Sequence, residues 1–154
     1  MSMTPEDRLT SLGITLPTPP KPVAAYVPAV RTGSLLFVAG QLPLRDGKLL
    51  ATGPVPSAVS LEQAVDAARQ CAVNVLAVAK AELGELSRVR RVVKLGVFVA
   101  CDDTFTEQPK VANGASELMQ AVFGDAGRHA RAAVGTNALP LGASVEVDAV
   151  LEVA

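Results

Sequence analysis

The chain has 154 residues and a mass of 15.8 kDa, a size that suits one compact domain spanning residues 1–154. Hydrophobic residues make up 49% of it and charged residues 19%, which excludes a disordered chain because such a chain cannot bury enough surface to fold. The formal net charge of -1 and the aromatic content of 3% argue against a nucleic-acid partner, which would need a basic field or exposed stacking rings.

Targeting and metal-binding signals are weak. No stretch reaches the roughly 18 apolar residues of a membrane span, and the N-terminal segment carries acids, so we expect a cytoplasmic protein without a membrane partner. Cys71 and Cys101 have no second Cys or His at metal-ligand spacing and are expected to be buried thiols. His129 is the single histidine, which leaves a mixed carboxylate site as the remaining metal alternative.

The N-terminal segment, residues 1–22, combines a short helix with a Pro-rich arm. Thr4 is a suitable cap for a helix from Pro5 to Leu12, and Gly13 is suited to ending it. The prolines that follow, up to Pro22, favour an extended chain. We expect this segment to lie on the surface.

A hairpin is predicted next. Two β-rich runs, Tyr26–Val30 and Ser34–Ala39, flank a turn at 31–33 that contains a glycine. The following stretch, Gly40–Ser57, is rich in Pro and Gly and holds the turn dipeptide Asp46-Gly47. It therefore predicts a loop with one short strand pair.

Two amphipathic helices are predicted to pack side by side. Ser60 and Gln63 form a capping box that begins the first helix, which should end at Leu83 with Gly84 as a left-handed cap. Apolar residues at helical spacing predict the second helix over Val111–Phe123.

Three further strands complete the predicted sheet. In Val92–Val99, apolar residues occur at both odd and even positions, which suits a central strand with both faces covered. Ala130–Val134 and Val145–Val153 read as closing strands. The order of elements predicts an α+β, two-layer sandwich with a mixed sheet and both helices on one face.

The last predicted strand suggests what the two faces of the sheet do. One face consists of Val145, Val147, Ala149, Leu151 and Val153 and should meet the helices, whereas the other consists of Glu146, Asp148, Val150 and Glu152. The other strands should add apolar side chains to that second face. Since an uncovered apolar face marks a subunit interface, we expect an oligomer.

Arg131 and Glu146 form a candidate reactive pair. His129, Arg131, Ala133 and Gly135 share one strand face; if the opposite, apolar set faces the helices, Arg131 points to the same side of the sheet as Glu146. The guanidinium could then bind a carboxylate and the glutamate could accept a proton. The alternative is a structural cross-strand ion pair.

Several segments together resemble the YjgF/RidA family over the chain from about Tyr26 to the C-terminus. They are Tyr26 before the hairpin, Phe37–Pro43, Val93–Val99, the Asn113 helix, Ala130–Val134 and Val145–Ala149. The stretch Phe105–Ser116 and the long N-terminal arm resemble the longer branch of that family, known as chorismate-mutase-like or endoribonuclease L-PSP.

This resemblance implies a chorismate-mutase-like fold assembled as a homotrimeric barrel, with ligand clefts between subunits. It also implies an enamine/imine deaminase that hydrolyses small 2-imino acids such as 2-aminoacrylate to a 2-oxo acid and ammonia, with no metal or organic cofactor. A small carboxylate is then the expected substrate.

Site residues follow from the same resemblance. Arg131 matches the family arginine that binds the substrate carboxylate, and Glu146 matches the acid that activates the attacking water. Tyr26 and Asn113 fall where the family lines its cleft, and Gly40 and Gln41 lie on the hairpin wall. A core tyrosine, a helix-surface amide and a turn are the corresponding structural alternatives.

Four positions depart from the family pattern. Ala39 stands where many deaminases have a serine before the Gly-Gln pair, and Ala132 replaces the serine after the arginine. His129 takes the place of the proline in the family's Pro-Ala-Arg-Ser, and Ala133 that of a cysteine present in some members. Carboxylate binding is therefore better supported than deamination.

Other functions remain open at this point. A non-catalytic sensor of 2-oxo acids would use the same Arg131 anchor. An endoribonuclease would need a basic surface, and only Arg88, Arg90, Arg91 and Lys94 cluster, a group we interpret as a solvated edge. Chorismate mutase activity would rest on fold analogy alone.

Overall fold

The computed structural model describes residues 2–19 and 24–154. The described chain contains helices α1 (Pro5–Ser11), α2 (Leu61–Leu83) and α3 (Gln108–Phe123), and strands β1 (Ala29–Thr32), β2 (Leu35–Gln41), β3 (Leu44–Arg45), β4 (Lys48–Leu49), β5 (Val89–Ala100), β6 (Ala130–Thr136) and β7 (Val145–Val153). Single 3-10 turns lie at Leu86–Arg88, Gly124–Gly127 and Pro140–Gly142. The predicted α+β class is confirmed, and part of the predicted Pro-rich arm lies outside the described residues.

The helix boundaries follow the predicted capping signals. Thr4 caps α1 and Ser60 caps α2, each through a complete capping box. Gly84 ends α2 with a φ of 87°, a conformation that glycine adopts without steric cost. None of the helices in the described part of the chain has the length and apolarity of a membrane-spanning segment.

Helix α1 is docked on the domain, which corrects the expectation of a surface arm. Leu9 is buried, and the Glu6 carboxylate accepts hydrogen bonds from the Leu86 N–H at 2.9 Å and from Lys80 Nζ at 3.2 Å. Arg8 Nη1 donates to the carbonyl of Val122 at the end of α3. Because these partners lie far away in the sequence, the local Pro-rich pattern gave no sign of them.

The main sheet has the strand order β1-β2-β7-β5-β6, and β3 and β4 form a separate small hairpin. Strands β5 and β6 are parallel, and the other neighbouring pairs of the main sheet are antiparallel. Helices α2 and α3 pack together on one face, where the alternate residues of β7 from Val145 to Val153 are buried against them. The predicted mixed sheet with helices on one face is confirmed.

Within residues 2–19 and 24–154, the other face of the sheet carries no helical layer, and we call it the open face. One row across all five strands consists of Ala130, Lys94, Val150, Phe37 and Val30. Val30 and Phe37 are 53% and 45% exposed. The expectation that β5 is covered on both faces is therefore wrong for the single chain, because its apolar residues on the open face have no partner layer.

Close packing between α2 and α3 depends on Gly114. A Cβ at this position would overlap the backbone carbonyl oxygen of Val65 on α2. The main chains of the two helices thus approach more closely than any residue with a side chain would allow. This approach fixes the position of α3 over the sheet.

Gly114→Ala tests that constraint. In an unconstrained helix the substitution would stabilise by about 1 kcal/mol through helix propensity, but here we expect destabilisation of roughly 1–3 kcal/mol from overpacking. Urea denaturation provides the free energy of unfolding. Glu117→Ala, at an exposed position of the same helix, serves as the control and should stay close to the wild type. A Gly114→Ala protein at least as stable as the wild type would contradict the packing argument.

Candidate functional site

Arg131 lies on β6 and points toward the helices. In the sheet it is paired with Leu95 of β5, which is buried under the helical layer. Ala133 is also packed against the core, whereas Ala130, Ala132 and Val134 are exposed. The predicted alternation along β6 is correct, but its assignment to faces is the reverse of the expected one.

Three acceptors on α3 hold the Arg131 guanidinium. Nη1 donates to Asn113 Oδ1 at 2.8 Å and to Ser116 Oγ at 3.1 Å, and Nη2 donates to the carbonyl of Pro109 at 3.3 Å. Residues spaced by four and three lie along one face of a helix, so α3 presents these acceptors as a row. Of the predicted site residues, Arg131 and Asn113 are thus brought into direct contact.

Ser116 and His129 extend this network. Ser116 Oγ lies 2.9 Å from His129 Nε2, and His129 Nδ1 lies 2.6 Å from the carbonyl oxygen of Gly127. Gly127 packs so closely on α3 that a Cβ would overlap the carbonyl oxygen of Met119. The hydrogen-bond chain therefore runs from Arg131 through Ser116 of α3 to His129, and it ends at Gly127, which packs against α3.

Glu146 lies on the open face of β7, beside Asp148. Glu146 is paired with Phe98, and its carboxyl carbon would be 2.9 Å from a Cβ placed on Gly40. The Asp148 carboxylate occupies the equivalent space over Gly96. Two glycines, on the strands that flank β7 on either side, thus make room for two carboxyl groups on one sheet face.

The environment of these acids shifts both of their pKa values upward. Burial is the larger cause for Glu146, and the negative charge of Asp148 raises its pKa further. Burial also raises the pKa of Asp148, although the N–H of Gly96 and the charge of Lys94 partly offset it. A carboxyl group with a raised pKa is a better proton acceptor near neutral pH than an ordinary one.

Arg131 and Glu146 lie on opposite faces of the sheet within one chain, so the expectation that they share a side is wrong. A cross-strand ion pair between them is likewise ruled out, because β5 separates β6 from β7. The two residues lie on opposite faces because the hydrogen bonds of Arg131 to α3 turn the polar side of β6 toward the helices. Small alanines are left on the open face.

The remaining predicted residues divide between the two groups. Ala39 and Gly40 lie at a bulge of β2 close to Glu146, while Ala133 shares the inward face of β6 with Arg131. Gln41 is paired with the inward-facing Val147, and its amide donates to the carbonyl of Ala39. Tyr26 precedes β1 and is 58% exposed.

Three functional candidates were missed from the sequence, although each had a signal. Ser116 follows Asn113 by three residues on the same helix, and His129 shares a strand face with Arg131. Asp148 shares a strand face with Glu146, and the register pairs it with Gly96. The relevance of these signals depended on which face of β6 meets the helices. The sequence pattern does not determine that orientation.

Cavities and thiols add little to this site. A cavity of about 790 Å³ lies between the segment after α1, the β3–β4 hairpin and α2, and no predicted site residue lines it. Cys71 is buried, and burial raises the pKa of its thiol well above the ordinary value, whereas Cys101 is partly exposed. Among residues 2–19 and 24–154, no group of three or more His, Cys, Asp or Glu side chains is placed to hold a metal ion.

Comparison with known proteins identifies the family. Residues 6–152 match the family model described as "YjgF/chorismate_mutase-like, putative endoribonuclease". The chain belongs to this YjgF family. A solved family structure, Atu1372 of unknown function from Agrobacterium tumefaciens, is 52% identical, with a TM-score of 0.92 over 97% of this chain and 92% of that one.

Two curated relatives have informative similarity. Protein TCP17 of Trypanosoma cruzi is 50% identical over 94% of this chain and 91% of its own length. The 2-iminobutanoate/2-iminopropanoate deaminase of Dermatophagoides farinae is 29% identical over 90% of this chain and 93% of its own length. The YjgF fold expected from the sequence is thereby confirmed.

The raised pKa of Glu146 predicts a pH-dependent stability difference. A carboxyl whose pKa is higher in the folded state stabilises the fold while protonated, and this contribution is lost as the pH rises above the ordinary value of 4.5 and through the raised pKa. The side chain of Glu146→Gln cannot ionise, so the variant does not lose this contribution. The free energy of unfolding of the variant minus that of the wild type should therefore rise over this pH range and stay constant above it.

Urea denaturation across the pH range measures this difference, and Asp148→Asn provides the matched background. There the gain from Glu146→Gln should be smaller, because the charge of Asp148 is removed, but it should persist, because burial is the larger cause. A difference that stays constant with pH would contradict the assignment.

Proposed function

We propose that this protein is a cofactor-free imine deaminase of the cytoplasm that hydrolyses small 2-imino acids to 2-oxo acids and ammonia. The observation that carries the proposal is the Arg131 guanidinium fixed by α3, because a half-buried, pre-positioned arginine is suited to a bidentate hold on a carboxylate. The family relationship and the relative named as a 2-iminobutanoate/2-iminopropanoate deaminase support this choice of substrate class.

The active site of this proposal lies between copies of the chain in a homotrimer. Arg131 and Glu146 point away from each other within one chain, so a site containing both requires Arg131 from one copy and Glu146 from another. Two features support such an assembly. Val30, Phe37 and Val134 leave apolar area on the open face, and Arg131 lies on the edge strand β6, where a second chain can approach.

The reaction assigns a separate step to each group. Arg131 binds the carboxylate of the protonated imino acid and orients its imine carbon. Glu146 accepts a proton from a water molecule as the water oxygen attacks that carbon, giving a carbinolamine. The same carboxyl returns the proton to the amino nitrogen. As the carbon–nitrogen bond breaks and ammonia leaves, the hydroxyl of the carbinolamine gives its proton to the Glu146 carboxylate and becomes the carbonyl of the 2-oxo acid. The released ammonia takes up that proton as ammonium, which restores the carboxylate. The raised pKa of Glu146 suits both directions of this transfer.

A sensor that binds 2-oxo acids without turnover is the second candidate. The observation that favours it is the absence of hydroxyl groups at Ala39 and Ala132, near the carboxyl groups of Glu146 and Asp148. Endoribonuclease activity has less support from the basic cluster, because Arg88 is occupied by the carbonyls of Leu83 and Ala154.

Ammonia and pyruvate release from 2-aminoacrylate, generated in place by a serine dehydratase, tests the proposal. Relative to no protein, the wild type should accelerate release. Arg131→Ala should lose pyruvate binding and, with it, measurable acceleration, because it removes the charge-assisted contact that holds the substrate throughout the reaction. Glu146→Gln should retain pyruvate binding and lose turnover. Binding without acceleration by the wild type would instead indicate the sensor.

Mixing the two inactive variants tests where the site is assembled. When Arg131→Ala and Glu146→Gln chains are unfolded together and refolded, mixed trimers should contain clefts with an intact Arg131 from one copy and an intact Glu146 from another. We expect part of the activity to return, while each variant refolded alone stays inactive. No recovery in a mixture shown to be trimeric would exclude a site shared between copies.

A further inference from the structure

The guanidinium of Arg131 is held by a hydrogen-bond chain that ends at a backbone carbonyl. Its direction can be read from the chemistry of each group. The Gly127 carbonyl can only accept, so His129 Nδ1, 2.6 Å away, carries the proton and donates it. In the neutral ring Nε2 is then an acceptor, and Ser116 Oγ at 2.9 Å donates to it. Ser116 in turn accepts from Arg131 Nη1.

We propose that Ser116 and His129 are positioning residues that hold the Arg131 guanidinium in the orientation that receives the substrate carboxylate. This inference rests on the proposed function and deepens it. Each member of the chain uses its donors and acceptors in only one direction, so the ring tautomer fixes the hydroxyl and the hydroxyl fixes the guanidinium. Ser116 is only 6% exposed, and water therefore cannot easily replace its partners.

Counting donors identifies the edge of the guanidinium that remains for substrate. Arginine has five N–H groups. Two on Nη1 are used by Asn113 and Ser116, and one on Nη2 is used by Pro109. Within the described residues, Nε–H and the second Nη2–H have no acceptor. The donors that remain lie along the edge of the planar guanidinium formed by Nε and Nη2, and such a pair matches the spacing of a carboxylate. Asn113 and Ser116 thus occupy Nη1 and leave the Nε–Nη2 edge for the ligand.

Ser116 and His129 depend on each other for their hydrogen bonds. The Ser116–His129 contact supplies, from the helix side, a fixed support for Arg131. The pair would therefore change together: either residue alone leaves a buried polar atom without a partner.

The tautomer of His129 gives a direct spectroscopic test. Since His129 is the single histidine of the chain, its two ring nitrogens can be assigned in a long-range proton–nitrogen correlation spectrum of the ¹⁵N-labelled protein, recorded at alkaline pH. We expect the proton on Nδ1. A ring protonated on Nε2 would reverse the hydrogen bond to Ser116 and overturn the proposal.

Variants separate positioning from a purely structural role. Ser116→Ala and His129→Asn remove the hydroxyl or its acceptor. Each should weaken pyruvate binding and raise KM by roughly tenfold, with kcat changed much less, because the carboxylate is held alike in ground and transition state. His129→Gln keeps an acceptor near the place of Nε2 and should restore affinity to within a few-fold of the wild type. Glu117→Ala, on the exposed face of α3, is the control and should bind normally.

Calorimetric titration with pyruvate and urea denaturation of the same proteins complete the experiment. Variants that lose stability but keep the wild-type Kd and KM would show that Ser116 and His129 are only structural. That outcome overturns this inference and leaves the deaminase proposal intact. A wild-type protein that neither binds pyruvate nor hydrolyses 2-aminoacrylate would overturn both.

Discussion

The packing of α3 against the edge strand β6 determines where the candidate site residues of β6 point. Gly114 brings α3 close to α2, and Pro109, Asn113 and Ser116 then face the strand with a row of acceptors. Because a charged guanidinium is costly to bury without partners, Arg131 takes the side on which those acceptors lie. The alternation of β6 follows from that choice, and so does the exposure of Ala130, Ala132 and Val134 on the open face.

The two chemical groups of the molecule are built in contrasting ways. Arg131 is fixed by hydrogen bonds from a helix, with its side edge left for a ligand. Glu146 and Asp148 are placed by the absence of side chains, since Gly40 and Gly96 leave the space that the carboxyl groups fill. The first arrangement favours a permanently charged anchor. The second places two acids close together in a partly buried environment, which raises their pKa values and suits proton transfer.

The separation of these groups by the thickness of the sheet links function to assembly. A single chain offers an anchor without a proton acceptor on one face, and acids without an anchor on the other. The apolar residues around the acids, Phe37 and Val134 among them, favour contact with another protein surface rather than with water. In this proposal catalysis therefore requires oligomerisation. Ser116 and His129 position Arg131 on the side of the shared cleft that one copy contributes.

Much of this molecule could be predicted from local sequence signals. The capping boxes of Thr4 and Ser60, the helical spacing of α2 and α3 and the alternation of β7 act over a few residues, so the elements and the helix-covered face of β7 followed from them. Arg131, Asn113 and Glu146 were recognisable as candidates by resemblance.

The facing of β6 could not be predicted in this way. The small residues of β6 can be accommodated on either face of the sheet. The orientation of the strand is set by acceptors on α3 that are 15–22 residues away from Arg131 in the chain. The docking of α1 through Glu6 and Arg8, and the chain from His129 to Arg131, likewise depend on contacts between distant segments. The sequence by itself determined which elements form, and it marked Arg131, Asn113 and Glu146 as candidates by resemblance. Only the tertiary structure decided which of those side chains meet, because hydrogen bonding of a buried charge outweighs the weak preference of an alanine-rich strand for either face.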